Sequence, residues 1–337
     1  VTEKSNMYVN NGYKDAALLT AIRNASSSYV ADYVLVQDAR SIADLRQEGL
    51  LHNFYPADGD SLGLDASNKD LLEGIHFNKV FWTNTHFSNV SNKSLYNIWQ
   101  MAGSENDKDQ VKVSFQNPTT EQINKSFLIS VLADDAQPRI NEAYKKFYGK
   151  DWTATGSYQS AGEQWVDEFI KNVASWHDSD GSAMKKYQCQ ADWDKDYVYF
   201  GAYSKMKDAA GQNYDIDLNG DGTISDNEKG VCAMNTVKWD WEIEGFHGFF
   251  YPMYSQIVNN AKHPYTACLF ARYILEPDFY SATIYSSTTP NADGSSGNQY
   301  GYYFPCTMPA YFAEAYAKNS EGKLKPASGK VCSNSYD

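Results

Sequence analysis

The 337-residue sequence is poor in basic residues and contains no long apolar run. It has 29 lysines and arginines against 42 aspartates and glutamates, which gives a formal net charge of −13 at pH 7. Nucleic-acid binding depends on clusters of basic side chains, so this balance argues against a nucleic-acid-binding protein. A membrane-spanning helix needs about 20 consecutive apolar residues, and no stretch of the sequence approaches that length.

The motifs of several enzyme classes are also missing. The sequence contains no HExxH, GxSxG, Walker or GxGxxG motif, and its six histidines are scattered singly. The paired carboxylates of a glycosidase meet only in space, so a glycoside-active enzyme stays an alternative, with Asp240, Glu242 and Glu244 as its first candidates. The sequence therefore favours a protein that is not an enzyme.

Cysteine is scarce and confined to the second half of the chain. The five cysteines are an odd number, which excludes complete pairing within the chain, and none forms a CxxC pair. Two hypotheses stay open. In a secreted protein, Cys189–Cys232 and Cys306–Cys332 are reasonable bridges, with Cys268 left in a helix; alternatively, all five are free thiols.

Aromatic residues, by contrast, make up 15% of the chain and include 26 tyrosines. Such residues are common on surfaces that contact ligands, although cores also use them. Strand-like runs alternate with amphipathic helical stretches, which predicts an α/β protein with largely parallel sheets. Predicted strands are 32–37, 79–83, 111–115, 197–203 and 237–243. Predicted helices begin at Ser41, Thr119, Pro138, Ser160 and Pro264, and two of them end at Gly49 and Gly149.

The most specific motif is the twelve-residue segment DLNGDGTISDNE, Asp217–Glu228. It matches the EF-hand loop, in which Ca²⁺ is held by side-chain oxygens, one backbone carbonyl, a water and a bidentate glutamate. A register beginning at Asp215 is less favourable because it puts the shorter Asp226 in the bidentate position. We predict a calcium site formed by Asp217, Asn219, Asp221, Thr223, Ser225 and Glu228; a metal-free acidic turn is the alternative.

The flanks of this loop predict its role. A calcium sensor needs two long helices that move apart, and Lys229-Gly230 ends any helix after the loop. We therefore expect a structural calcium that stabilises an insertion at about residues 207–232, with no switching role.

A series of short segments between residues 31 and 280 carries a family resemblance. They include Ala31–Asp38, Glu48–Leu51, Asn53–Pro56, Val80–Asn84, Asn97–Gln100, Val111–Pro118, Ala202–Met206, His263–Ala267 and Ala271–Leu275. In this order they resemble the extracellular solute-binding proteins of bacterial ABC transporters, in the iron(III)- or polyamine-type group. Iron-binding members use adjacent tyrosines, and the adjacent pair here, Tyr302-Tyr303, lies outside the matching segments.

The resemblance implies a type II periplasmic-binding-protein fold of the α/β class, with two lobes and a cleft at the hinge. Lobe one would take residues 1–87 and 238–337, and lobe two residues 88–237, with crossing strands near Asn84 and Trp239. Residues 1–30 are short and polar for the start of such a lobe, so we expect a truncated or diverged N-terminal part.

Candidate ligand residues follow from the expected fold. Open α/β sheets bind ligands beyond the carboxyl ends of their strands, where helix N-termini present free amides. The candidates are Gln37, Asp38, Asn84, Asn117, Thr119, Thr120, Tyr203, Lys205, Trp239, Trp241 and Glu242. Some have structural alternatives, such as an N-cap role for Thr119 or a core position for the two tryptophans.

The function implied is capture of a small solute outside the cell membrane and its delivery to an ABC-transporter permease by closure of the hinge. The protein would be a monomer, either periplasmic or lipid-anchored. The residues leave the solute open: tryptophan, tyrosine and carboxylates suit a sugar or a cationic amine, and the helix start at Thr119-Thr120 suits an anion. The alternative from another class is a secreted surface module that binds glycans or peptides.

Overall fold

The structure is a computed structural model that describes most of the chain up to Leu275 and short strands beyond it. The described residues are 12–13, 15–26, 29–37, 39–62, 64, 69–84, 95–103, 109–188, 196–202, 213–215, 217, 219–229, 231–232, 235–238, 243–246, 248–275, 303–304, 316–318 and 324–326.

Helices and strands alternate through this part of the chain. The helices are α1 Asp15–Arg23, α2 Ala39–Gln47, α3 Gln122–Leu132, α4 Gln137–Tyr148, α5 Ala161–Asn172, α6 Asp180–Gln188 and α7 Pro264–Tyr273. The strands are β1 Tyr33–Val36, β2 Leu51–His52, β3 Leu72–Asn84, β4 Val111–Gln116, β5 Val173–His177, β6 Asp196–Ala202, β7 Asn213–Tyr214, β8 Val231–Cys232, β9 Asn235–Lys238, β10 Phe249–Val258, β11 Tyr303–Phe304, β12 Tyr316–Lys318 and β13 Leu324–Pro326.

The described residues form two compact units. Unit 1 takes those of Val1–Phe77, Tyr251–Ser286 and Tyr303–Glu314, and unit 2 takes those of Asn78–Phe250 and Ala315–Asp337. The chain passes from unit 1 to unit 2 within β3 and returns to unit 1 within β10. The lobe limits that we expected, 87/88 and 237/238, stay a prediction.

Strand pairing in unit 1 is antiparallel. β10 pairs with β1, with Tyr33 opposite Ile257, and also with β2, with Ile257 opposite His52. The expectation of largely parallel sheets is therefore wrong for these strands. Sequence patterns locate strands but do not say which strand, about 200 residues away, becomes the neighbour.

Unit 2 contains the parallel pairs. β4 is parallel to β5 on one side and to β6 on the other, and β6 is antiparallel to β3. Parallel neighbours need a crossover connection, and these crossovers contain α3, α4 and α5 between β4 and β5, and α6 between β5 and β6. The carboxyl ends of β4 and β5, at Gln116 and His177, therefore lie at the same edge of the sheet.

Aromatic rings fill the core of unit 2. The ring of Phe127 on α3 stacks on that of Phe200 on β6 with centroids 4.1 Å apart, and Trp165 stacks on Phe169 within α5 at 4.7 Å. The indole nitrogen of Trp165 donates to the carbonyl of Ile98 at 2.9 Å, so its polar atom is satisfied in the interior. Burying one such ring contributes about 2–3 kcal/mol. This core fixes α3 and α5 against the sheet.

Unit 1 has its own apolar clusters. Ile22 on α1, Leu45 on α2 and Val258 on β10 share one buried cluster. Ile257 on β10 and Ala271 on α7 belong to a second. The carboxylate of Asp32 accepts hydrogen bonds from the Tyr29 hydroxyl and the His263 backbone amide. Burial and the Asp32 carboxylate raise the pKa of Tyr29 to about 12, so this hydroxyl keeps its proton at neutral pH.

Several predicted helix ends are confirmed. Gly149 ends α4 with φ at 71°, a conformation that favours glycine, and Ser160 caps α5 in a reciprocal capping box with Glu163. The expected start of α2 at Ser41 is wrong, because the helix begins at Ala39 and Ser41 lies buried inside it. Bridges that involve Cys189, Cys306 or Cys332 concern residues outside the described set, and Cys268 is free.

Gly162 on α5 provides a test of this packing. A Cβ atom there would lie 2.4 Å from the backbone carbonyl oxygen of Val131 on α3. We expect Gly162→Ala to lower the free energy of unfolding by about 2 kcal/mol, because the backbone of α3 must move. Urea unfolding measures this, with Gly156→Ala as the control, since a Cβ there meets nothing within 4 Å. Equal stabilities of the two variants would contradict the packing.

Candidate functional site

The candidate site lies at the carboxyl ends of β4 and β5 in unit 2. The chain leaves β4 at Gln116, and the amide of the next residue, Asn117, donates to the carbonyl of His177 at 2.6 Å. Gln116 extends its side-chain amide to the carbonyl of Asp178 at 3.3 Å. Two strand ends and the turns that follow them are thereby joined, in the position where open α/β sheets bind ligands.

A turn of residues 117–121 leads from β4 into α3. The side-chain oxygen of Asn117 accepts hydrogen bonds from the amide and the hydroxyl of Thr119, at 2.9 and 2.8 Å. The Asn117 carbonyl accepts from the amides of Thr120 and Glu121 and from the Thr120 hydroxyl. The N-cap role considered for Thr119 is wrong: Glu121 caps α3 through its carboxylate, which accepts from the amide of Ile123 at 3.1 Å.

The turn into α6 is built in the same way. The Ser179 hydroxyl accepts from the Ser182 amide at 3.1 Å, and the Ser179 carbonyl accepts from the Ala183 amide. From below, the buried hydroxyl of Ser114 on β4 donates to the Ala183 carbonyl at 2.7 Å. Both helices at this edge therefore begin at defined, hydrogen-bonded turns.

A buried lysine lies beneath these turns, and it is absent from our sequence-based candidates. The ammonium of Lys79 on β3 donates to the side-chain oxygen of Asn124 at 2.6 Å and lies 3.5 Å from the carboxylate of Asp180. Asn124 in turn donates to the Gln116 carbonyl at 2.8 Å. The Lys79 side chain is 2% exposed. The sequence feature that could have identified Lys79 is its position at the start of the apolar run Lys79-Val-Phe-Trp. A buried charge there is costly unless it is paired.

The structure brings together only some of the predicted ligand residues. Asn117, Thr119 and Thr120 share one turn, with the two threonines exposed. Gln37 follows β1 in unit 1 and is half-buried, and Asn84 ends β3 in unit 2. The other candidates lie outside the described residues: Asp38, Tyr203, Lys205, Trp239, Trp241 and Glu242. Contact of all these residues with a solute stays a prediction.

The loop Asp217–Glu228 closes on itself through backbone amides. The two carboxylate oxygens of Asp217 accept from the amides of Gly220 and Gly222, at 2.7 and 2.8 Å. Both glycines have a left-handed φ, 73° and 82°. The Asp221 carboxylate accepts from the amide and hydroxyl of Thr223, and these hydrogen bonds, the hydroxyl's first, lower its pKa. Asp221 therefore stays ionised to lower pH than an ordinary aspartate.

Glu228 occupies the inside of this loop. The residue is 1% exposed, and its carboxylate accepts from the amides of Asn219 and Ser225, at 3.2 and 2.9 Å. After a 3-10 turn at Asp226–Glu228 the chain enters β8, which pairs antiparallel with β7. A two-stranded ribbon, rather than a pair of helices, thus flanks the loop.

The predicted ligands in the loop Asp217–Glu228 are all oxygen donors, which suits a hard cation such as calcium. Among the described residues, no group of three or more His, Cys, Asp or Glu side chains is arranged to hold a metal. The loop's ligands also include an asparagine amide and a backbone carbonyl, whose oxygens are of the kind that calcium accepts. The residues present therefore fit the ion in kind.

Comparison with solved structures identifies the architecture. An iron- and citrate-bound Trichodesmium protein, IdiA or FutA, matches with a TM-score of 0.54 and 14% identity, over 94% of this chain and 83% of its own. The ferric binding protein of Campylobacter jejuni matches at 0.53 with 13% identity over 86% and 75%, and a periplasmic thiamin binding protein at 0.51 with 16% over 93% and 76%. The chain has the type II periplasmic-binding-protein fold.

The likeness to these periplasmic binding proteins is one of fold at low identity. No protein-family model matches the chain, and no curated protein matches it either. Within the described residues, no helix is both long and apolar enough to span a membrane.

The ion pair beneath the site predicts a specific pattern of stability. We expect Lys79→Met to lower the free energy of unfolding by about 3 kcal/mol, because the largely buried carboxylate of Asp180 then loses its cationic partner. The double variant Lys79→Met/Asp180→Leu removes both charges and should recover most of that loss. Chemical denaturation of the three proteins measures both effects. A double variant no more stable than the single one would show that charge pairing does not explain the site.

Proposed function

We propose that this protein captures a small solute outside the cell membrane and delivers it to an ABC-transporter permease. The observation that carries the proposal is a polar turn, braced by a buried network, at the carboxyl ends of β4 and β5 in a chain with the fold of solute-binding proteins. The solved neighbours include iron-binding and thiamin-binding proteins, which favours binding over catalysis.

In this proposal unit 2 contributes Asn117, Thr119 and Thr120, which share the turn before α3. Their hydrogen bonds to one another hold the turn in one conformation before a solute arrives, so little entropy is lost on binding. Gln37 and Asp38, which follow β1 in the sequence, are further candidate solute contacts. Capture would use the hinge-bending closure by which periplasmic binding proteins enclose their ligands, followed by delivery to the permease.

The proposal predicts a solute-dependent rise in melting temperature. A ligand that binds only the native state at 100 times its Kd stabilises it by about 2.7 kcal/mol. We expect at least one compound among thiamine, ferric citrate, polyamines, sugars and phosphonates to raise the melting temperature in a thermal-shift screen. The Asn117→Ala variant should respond less to the same compound. A melting temperature unmoved by the whole panel would argue against solute capture.

We also propose that the loop Asp217–Glu228 binds one structural Ca²⁺. The ligands would be the side chains of Asp217, Asn219 and Asp221, the Thr223 carbonyl, the bidentate Glu228, and a water held by Ser225. The burial of Glu228 supports this register over the one beginning at Asp215, because Asp226 is an exposed residue paired with Lys229. An ion at this position would join both ends of the loop above the β7–β8 ribbon.

A structural role is favoured over a sensing role by what flanks the loop. A sensor changes the angle between two helices, whereas here β7 and β8 lie at the base of the loop and pair with each other. Among the described residues beside the loop there is no pair of helices for calcium to open. Its free energy of binding would instead add to the stability of unit 2.

The calcium proposal predicts a chelator-sensitive stability. We expect excess EDTA to lower the calorimetric melting temperature and Ca²⁺ to restore it. Glu228→Gln should lose most of this response, because it removes the bidentate carboxylate. The matched control is Asp226→Asn, which removes one carboxylate from the same loop at an exposed position outside the ligand set. An identical response of the two variants, or none in the unmodified protein, would refute the site.

A further inference from the structure

We infer that the edge of unit 2 at β4 and β5 recognises a positively charged, hydrogen-bond-donating group of the solute, such as an ammonium or amidinium, and not an anion. This inference rests on the proposed function, since it assigns the charge of the solute at the same site. It follows from which donors and acceptors the protein itself has already used.

Four amides in the turn before α3 and in its first turn are engaged by their own chain. The amide of Thr119 donates to the Asn117 side chain, those of Thr120 and Glu121 to the Asn117 carbonyl, and that of Ile123 to the Glu121 carboxylate. A helix N-terminus binds an anion through free amides and the positive end of its dipole. Here the Glu121 carboxylate, part of the chain, already fills that role.

Both threonine hydroxyls also donate hydrogen bonds within the turn. Thr119 donates its hydroxyl proton to the side-chain oxygen of Asn117, and Thr120 donates its own to the Asn117 carbonyl. Both residues are exposed, so each hydroxyl oxygen offers lone pairs, and no proton, to a solute. The turn therefore presents acceptors.

The positive charge at this edge is compensated from within. Lys79 is directed to Asn124 and Asp180, and its side chain is 2% exposed. The exposed Asp178 and the half-buried Glu121 add carboxylates at the starts of the two helices. Lys125, the exposed cation nearest in sequence to the turn, lies one turn further along α3. The net charge of the side chains at the two turns is therefore negative.

An independent observation at the end of β4 points the same way. Gln116 is 6% exposed, and its buried side-chain oxygen accepts no hydrogen bond from the described residues. An unused buried acceptor is costly, and a donor brought by a solute would offset that cost. A cationic donor also forms the stronger, charge-assisted bonds to Asp178 and to the threonine oxygens.

Isothermal titration of the 337-residue chain with two probe classes tests the inference. The cationic probes are spermidine and thiamine, and the anionic probes are citrate and inorganic phosphate. We expect a cationic probe to bind and the anions to bind at least tenfold more weakly. We expect Asp178→Asn to weaken the cation about tenfold, the loss of one charge-assisted hydrogen bond.

The control is Asp134→Asn, which makes the same change at an exposed residue just beyond the other end of α3 and should leave affinity unchanged. Preferential binding of citrate or phosphate, or equal effects of the two variants, would overturn the cationic preference and leave solute capture standing. Binding of none of the four probes by a correctly folded protein would count against solute capture as well as against the preference.

Discussion

The parallel pairing of β4 with β5 and β6 is the constraint on which the candidate site depends. Because parallel strands need crossover helices, α3 begins where β4 ends and α6 begins where β5 ends. Two helix starts and two strand ends are thereby concentrated at one edge. The hydrogen bond from the Asn117 amide to the His177 carbonyl joins the two turns.

The interior of unit 2 supports this edge by two different kinds of interaction. Stacked rings of Phe127, Phe200, Trp165 and Phe169 hold α3 and α5 on the sheet mainly by apolar contact. Lys79 does the opposite: it brings a charge into the interior, where it costs stability unless it is paired, and thereby fixes the first turns of α3 and α6. The buried charge of Lys79 is better explained by its effect on the position of these two turns than by a gain in the free energy of unfolding.

The sequence allowed the local features to be predicted better than the long-range ones. Gly149, Ser160 and the EF-hand-like loop are encoded within a few residues, so capping rules and motif spacing locate them. The cap of α3 was misplaced because Asn117 inserts a full turn before the helix, and that turn uses Thr119 as a donor. Antiparallel pairing in unit 1 and the Lys79 network depend on partners 45 to more than 200 residues away, which no local pattern specifies.

The loop at Asp217–Glu228 is independent of the solute site, because its geometry is closed by its own amides and by the β7–β8 ribbon. Solute binding is therefore expected at the edge formed by β4 and β5. An amide NMR titration of isotope-labelled protein, with a solute that the protein binds, tests this most directly. Binding at this edge predicts that the amides of residues 117–121 and 177–180 shift together, with one dissociation constant. A titration in which the amide resonances of both segments stay unchanged while the solute binds would contradict it.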